Sequence, residues 1–188
     1  MQAIPCVLMR GGTSKGPVFL GNDLPQDPAR RDELLLALMG SGNELEVDGI
    51  GGGYPQTSKV AIVTPSSEPG IDVDYLFVQV MVEQRRVDTS PNCGNMLSAV
   101  GPFAIEQGLV AAQGDVTRVT IRNVNTQSII DADIQTPGGR VTYVGETRID
   151  GVPGTAAPVC WSFATPWGRR PANFIPPGIH ETSSMASR

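Results

Sequence analysis

From Met96 to Ile105 the chain reads MLSAVGPFAI, apolar at almost every position. A helix without a polar face has to be buried, and this one has only one helical companion. That companion is DPARRDELLLALMGSG, where Asp27 serves as N-cap, Pro28 takes the first helical position and Gly40 stops the helix. The remaining periodic segments read as strands, at residues 4–9, 17–20, 60–63 and, with the strongest β-branched and aromatic content, 73–88. Residues 116–125 alternate between apolar and polar side chains, as a strand with one wet face does. Residues 127–149 predict a hairpin turned at Pro137-Gly138-Gly139. The predicted class is α+β: a curled mixed β-sheet, rolled or barrel-like, around a central helix. Gly101-Pro102 inside the apolar segment predicts a kink or break, because an interior proline costs about 3 kcal/mol.

Several function classes conflict with this composition. A net charge of −5 opposes nucleic-acid binding and gives no global attraction for an acidic substrate, so an anion site has to be built locally. Three scattered cysteines and a single histidine suggest neither a disulfide framework nor a metal site. No apolar run approaches the roughly 20 residues that span a membrane, and the start of the chain does not read as a signal peptide. These features predict a cytoplasmic protein without metal.

Two features carry chemistry. Of the 14 basic residues only Lys15 and Lys59 are lysines; both follow Thr-Ser and both lie beside glycine-rich turns, in GGTSKG and QTSKVA. Arginine cannot give up its proton, whereas a partly desolvated lysine can act as a general base. Codon bias alone accounts for the scarcity of lysine but not for these positions. The turn RGGTSKG, with Arg10, Gly12, Thr13, Ser14 and Lys15, can cradle a carboxylate through backbone N–H groups and hydroxyls. It is not a P-loop, since its lysine follows the Thr-Ser pair. The second feature is Cys93 in PNCGNMLSAV. If the apolar helix starts at Gly94 or Asn95, the cysteine lies where unpaired N–H groups and the helix dipole favour a thiolate and can bind a carboxylate. Alternatively, Cys93 is one more small buried residue.

Together CVLMRGGTSKG, DGIGGG…TSKVAIV, VDYLFVQV, RVD…NCGNMLSAVGPFAIE and TRIDGVPGTAAP resemble the PrpF-like methylaconitate isomerase and 4-oxalomesaconate tautomerase family, from about residue 4 to residue 159. The resemblance implies a lobe of the diaminopimelate-epimerase-like fold, whose two similar lobes enclose a cleft. It implies catalytic roles for Lys59 and Cys93, with Arg10, Gly12, Thr13, Ser14, Lys15, Ser58, Gly94 and Asn95 at the substrate. The implied reaction moves a proton between carbons of an unsaturated di- or tricarboxylate without metal or organic cofactor. A cysteine-pair racemase or epimerase of the same fold is the alternative enzyme, although neither Cys6 nor Cys160 has a matching context. A lobe that only binds carboxylates is the non-enzymatic alternative.

Members of that family are about twice as long. Residues 1–170 are therefore read as the N-terminal lobe of a two-lobe isomerase whose second lobe is absent, with homodimerisation through the exposed face as another possibility. Residues 171–188, ending IHETSSMASR, are read as an irregular tail. With suitable synonymous codons, one lost base near the Gly178 codon converts PPGNPRDVIDGV, which resembles the family's continuation, into this tail.

Overall fold

The computed structural model describes residues 3–163, so the predicted tail lies outside the described residues. The chain opens with β1 (Val7–Gly11) and β2 (Ser14–Leu20), followed by α1 (Pro28–Met39), β3 (Lys59–Pro65), β4 (Val73–Val80) and the short β5 (Val87–Asp88). The central helix α2 (Gly94–Glu106) comes next, then β6 (Val116–Asn123), β7 (Ile129–Gln135) and β8 (Val159–Phe163). These strands form one sheet in the order β1-β2-β3-β4-β6-β7-β8, with β5 also paired to β4. The β2–β3 and β4–β6 pairs are parallel and the others antiparallel, giving the expected mixed sheet.

Alternation along the central strands produces two cores. Ala61 and Val63 of β3, with Val73, Tyr75 and Phe77 of β4, turn toward α2 and join Met96, Val100 and Phe103. Val60 and Ile62, with Val78 and Val80, turn the other way and join Phe19 and the α1 residues Leu35 and Met39. The start and stop of α1 follow the sequence. Asp27 Oδ1 accepts the Arg30 N–H at 3.0 Å, Pro28 opens the helix, and Gly40 closes it in the left-handed region at φ 79°.

The break expected at Gly101-Pro102 does not occur; α2 continues through to Glu106. Pro102 costs about 3 kcal/mol, but Met96, Leu97, Val100, Phe103 and Ala104 are all buried around it. Each large apolar side chain contributes about 1.5–3 kcal/mol on burial, so packing wins. Gly101 has a packing role: a Cβ there would fall 2.6 Å from Ile134 Cδ1, so its bare backbone lets β7 close on the helix.

Two strand expectations need correction. Residues 73–88 are not one strand. β4 ends at Val80, the chain turns with Met81 N–H donating to Arg86 O at 2.9 Å, and β5 runs back beside β4. The polar stretch Glu83–Arg86 offers no apolar alternation to hold a strand, and Arg85 adopts φ 30°. The hairpin predicted over 127–149 is also absent. The chain does turn at Pro137–Gly139, but β7 pairs with β8, Ile134 opposite Val159, while residues 140–158 pass over as a loop. Residues 140–158 are all exposed or half-buried, Val144 being 87% exposed, whereas Trp161 of β8 is buried against the α2 core.

β4 would be left with a gap between its two partners, since β6 pairs with it only as far as Tyr75 and β5 begins at Gln79. The side-chain amide of Asn125 fills that gap. Its Oδ1 accepts the Phe77 N–H at 2.8 Å, and its Nδ2 donates to Phe77 O at 2.8 Å and to Thr89 O at 2.7 Å. An unsatisfied buried polar group costs about 1–3 kcal/mol. Asn125→Ala is expected to lower the unfolding free energy by about 2–4 kcal/mol in urea denaturation. Asn125→Asp is expected to rescue little, because a carboxylate accepts but cannot donate to the two carbonyls. Gly16→Ala should be at least as damaging, since its Cβ would fall 1.8 Å from Lys59 O on the neighbouring strand; a native-like urea midpoint for that variant would refute this close approach.

Candidate active site

Cys93 is the N-cap of α2, half-buried, with extended backbone at φ −139°, and its sulfur accepts no hydrogen bond from the helix N–H groups. The first turn of any helix has N–H groups without intrahelical partners, and they carry the positive end of the dipole. The backbone holds the cysteine at this tip from several sides. Its N–H donates to Asn92 Oδ1 at 2.7 Å, which also accepts from Asn123 Nδ2 at 2.6 Å. Asn123 is fully buried, and its own Oδ1 receives the N–H groups of Asn125 and Thr126. The Cys93 carbonyl accepts from Leu97 N–H at 3.1 Å and from the Tyr75 hydroxyl at 3.4 Å. Burial, with a further contribution from the neighbouring Cys93, holds the Tyr75 phenol well above its ordinary range, so it is a neutral donor.

The β1–β2 turn closes on the same tip. Asn95 Nδ2 donates to Thr13 Oγ1 at 2.9 Å and reaches Ser14 Oγ at 3.5 Å. Glycine is required at the contact: a Cβ on Gly11 would fall 1.9 Å from Asn95 O, and one on Gly12, at φ +52°, 2.3 Å from Asn95 Oδ1. From the other side, the Trp161 ring lies 3.4 Å from where a Gly94 Cβ would be. Gly12, Thr13, Ser14, Cys93, Gly94 and Asn95 therefore form one group at the start of α2.

Lys59 opens β3 and, like Ala61 and Val63, belongs to the α2 face by alternation. Its Nζ donates to Gln79 Oε1 at 2.8 Å and lies 5.0 Å from the centroid of the Phe77 ring. Phe77 and Tyr75 are successive residues on that face of β4. Lys59 thus stands over one ring while the next, Tyr75, reaches the backbone of Cys93.

Three sequence-predicted residues are placed differently. Ser58 is fully buried and its hydroxyl donates to Glu46, which is itself buried and also accepts the Gly53 N–H at 2.9 Å. Its side chain braces the glycine-rich loop beneath the site and is not presented to a ligand. Lys15 shares the face of Phe19, opposite to that of Lys59, and its backbone N–H donates to Gln56 O at 2.9 Å. Arg10 is exposed, with its guanidinium on Gly12 O at 3.3 Å. Sequence reading missed Glu46, Gln79, Asn92, Asn123, Asn125 and Trp161. Of these, Gln79 could have been found only from the β3–β4 register.

A cavity of about 730 Å³ lies beside the group at the start of α2, between α2 and the sheet edges β1 and β8. It is lined by Met9, Ala99, Pro102, Tyr143 and Trp161 among others and includes Arg10 and Gly12, but not Lys59 or Cys93. Burial and the Glu106 carboxylate raise the Tyr143 phenol well above its ordinary range on this side. Among the described residues no three His, Cys, Asp or Glu gather as a metal site, and no helix is long and apolar enough to cross a membrane.

The family model described as PrpF protein matches residues 1–182. The chain is 56% identical over 178 residues to the (4E)-oxalomesaconate Delta-isomerase of Novosphingobium sp. (strain KA1), covering 95% of this chain and 50% of that protein. It is 53% identical over 175 residues to the 4-oxalomesaconate tautomerase of Pseudomonas putida, covering 93% of this chain and 48% of that protein. The chain therefore spans about half the length of these curated relatives. The crystal structure of a methylitaconate-delta-isomerase superposes with a TM-score of 0.83 at 46% identity, over 86% of this chain and 42% of the other. A curled lobe shared with that isomerase, relatives named as isomerases and a family match over nearly the full chain agree: the chain belongs to the PrpF protein family.

Proposed function

We propose that this lobe supplies the proton-transfer groups of an isomerase acting on an unsaturated di- or tricarboxylate, such as a 4-oxalomesaconate-like or methylitaconate-like acid. The observation that supports it most is the placement of Lys59 over the Phe77 ring while the next ring on that face of β4, Tyr75, donates to the backbone of Cys93 at the N-terminal tip of a buried helix. Lys59, as the free amine, removes a proton from a carbon activated by a neighbouring carbonyl or vinylogous carboxylate, becoming the ammonium. The electron pair shifts through the double bond, and the Cys93 thiol returns a proton at the far carbon. Proton exchange with solvent resets both groups. The developing negative charge and the substrate carboxylates meet the N–H groups of Gly94 and Asn95 and the hydroxyl-bearing turn Gly12–Ser14. Arg10, at the edge of this group, adds positive charge.

The relatives' twofold length supports a second lobe as the facing wall of the cleft; on that reading the lobe alone binds carboxylates and turns over slowly. The test is ¹H NMR in D₂O with 4-oxalomesaconate and, separately, 3-methylitaconate. The native chain is expected to catalyse slow deuterium uptake, and Lys59→Ala to reduce that rate by at least about 100-fold. Cys93→Ala should allow uptake at the first carbon while blocking double-bond migration. Unchanged uptake in Lys59→Ala would remove lysine as the base. Saturable binding without uptake in the native chain would assign a carboxylate-binding remnant, and absence of both would overturn the proposal.

A further inference from the structure

Lys59 stands directly opposite Gln79 in the antiparallel β3–β4 pair. We propose that Gln79 is the positioning residue of Lys59, a fixed neutral acceptor that aims the amine without trapping it as the ammonium. The functional meaning of this inference rests on Lys59 being the base.

The Gln79 amide is fixed in one orientation. Its Nε2 donates to Ser58 O at 2.8 Å and to Pro55 O at 3.1 Å, with a longer contact of 3.3 Å to Val80 O. Turning the amide over would place its carbonyl oxygen against the carbonyl oxygens of Ser58, Pro55 and Val80, a repulsive arrangement. Oε1 is therefore the end left for Nζ, at 2.8 Å. Pro55 and Ser58 belong to the glycine-rich segment leading into β3, so the same amide ties that segment to the lysine it delivers.

A carboxylate in place of this amide would favour the charged lysine. The titratable groups on neighbouring elements are the same in the native chain and in Gln79→Glu, so they leave that difference in place. Asp88 on β5 is paired opposite Gln79 on its other side. The Ser90 hydroxyl and backbone N–H hold its carboxyl below the ordinary range, so it is a constant charge while a lysine titrates. Lys15 leaves from the opposite face of β2, Cys93 lies at the start of α2, and Tyr75 is the neutral phenol beside it. Glu46 is engaged by Ser58 and Gly53.

The test needs no substrate, because the chain contains only two lysines. Lysine labelled with ¹³C at Cε gives two NMR signals, and Lys15→Arg assigns the remaining one to Lys59. Gln79→Glu is expected to raise the Lys59 titration midpoint by at least about one pH unit while the Lys15 signal stays in place. An unshifted Lys59 midpoint in the folded Gln79→Glu chain overturns the inference. If that variant does not fold, the native chain decides. The two Hε protons of Lys59 should be resolved, with Cε relaxation close to that of the backbone; averaging as free as that of Lys15 overturns the inference. Because these readouts monitor the lysine itself, loss of the Lys59–Gln79 coupling is distinguishable from a failure of Lys59 to act as base in the D₂O assay.

Discussion

A helix with no polar side must be buried along its length, but its ends cannot be. This constraint on α2 organises the lobe. The curled sheet covers Met96, Leu97, Val100, Phe103 and Ala104 from β1 through β7. No apolar wall can satisfy the first-turn N–H groups, so the N-terminal end must meet water, a polar turn or a ligand. The β1–β2 turn, Cys93 and Asn95 collect there for that reason. The location of the candidate site is thus a consequence of how the core is packed.

The tip is held by backbone contacts that only a few residue types permit. Glycines at 11 and 12 let a β-turn rest on the first turn of a helix at distances a Cβ would forbid. Asparagines at 92, 123 and 125 take over where ladder pairing fails, because one amide both donates and accepts. Asn125 repairs the β4 edge at Phe77 and at the same time reaches Thr89, on the segment that leads to Cys93. Against a typical total stability of about 5–15 kcal/mol, two or three buried groups left unsatisfied would be enough to loosen that segment.

How much of this was legible depended on how local the physics is. The caps of α1 involve contacts three or four residues apart and could be read from Asp27, Pro28 and Gly40. The alternation over residues 116–125 predicted a strand with one wet face, and β6 has one, with Thr117, Val119, Ile121 and Asn123 buried on the other. At Gly101-Pro102 a local rule predicted a kink or a break, and burial of the surrounding side chains outweighed the break. The hairpin after β7 failed because turn chemistry at residues 137–139 says nothing about which later segment has a face to bury. Asn125 was invisible because its partner, Phe77, is 48 residues away. Lys59 and Cys93 became specific only through their resemblance to a family. The pairing of Lys15 with Lys59 by shared Thr-Ser context dissolved once strand alternation sent the two side chains to opposite faces.

The charge distribution explains how a chain with net charge −5 can still offer a place for an anion. On the outer face of β6 and β7, Arg118 pairs with Asp133, and Arg122 with Asp74 and Glu68, so these carboxylates carry their own counterions. Glu46, which accepts from Ser58, the residue before Lys59, is buried and held by hydrogen bonds beneath the loop. The groups that remain at the helix tip are the N–H groups of the first turn and the hydroxyls of Thr13 and Ser14, with Lys59 over the Phe77 ring of β4. On the proposed reading, a carboxylate placed there would meet these donors instead of a neighbouring acid. The acidity of the chain as a whole is expressed elsewhere, and the neutral Gln79 amide keeps a carboxylate from being the direct partner of Lys59.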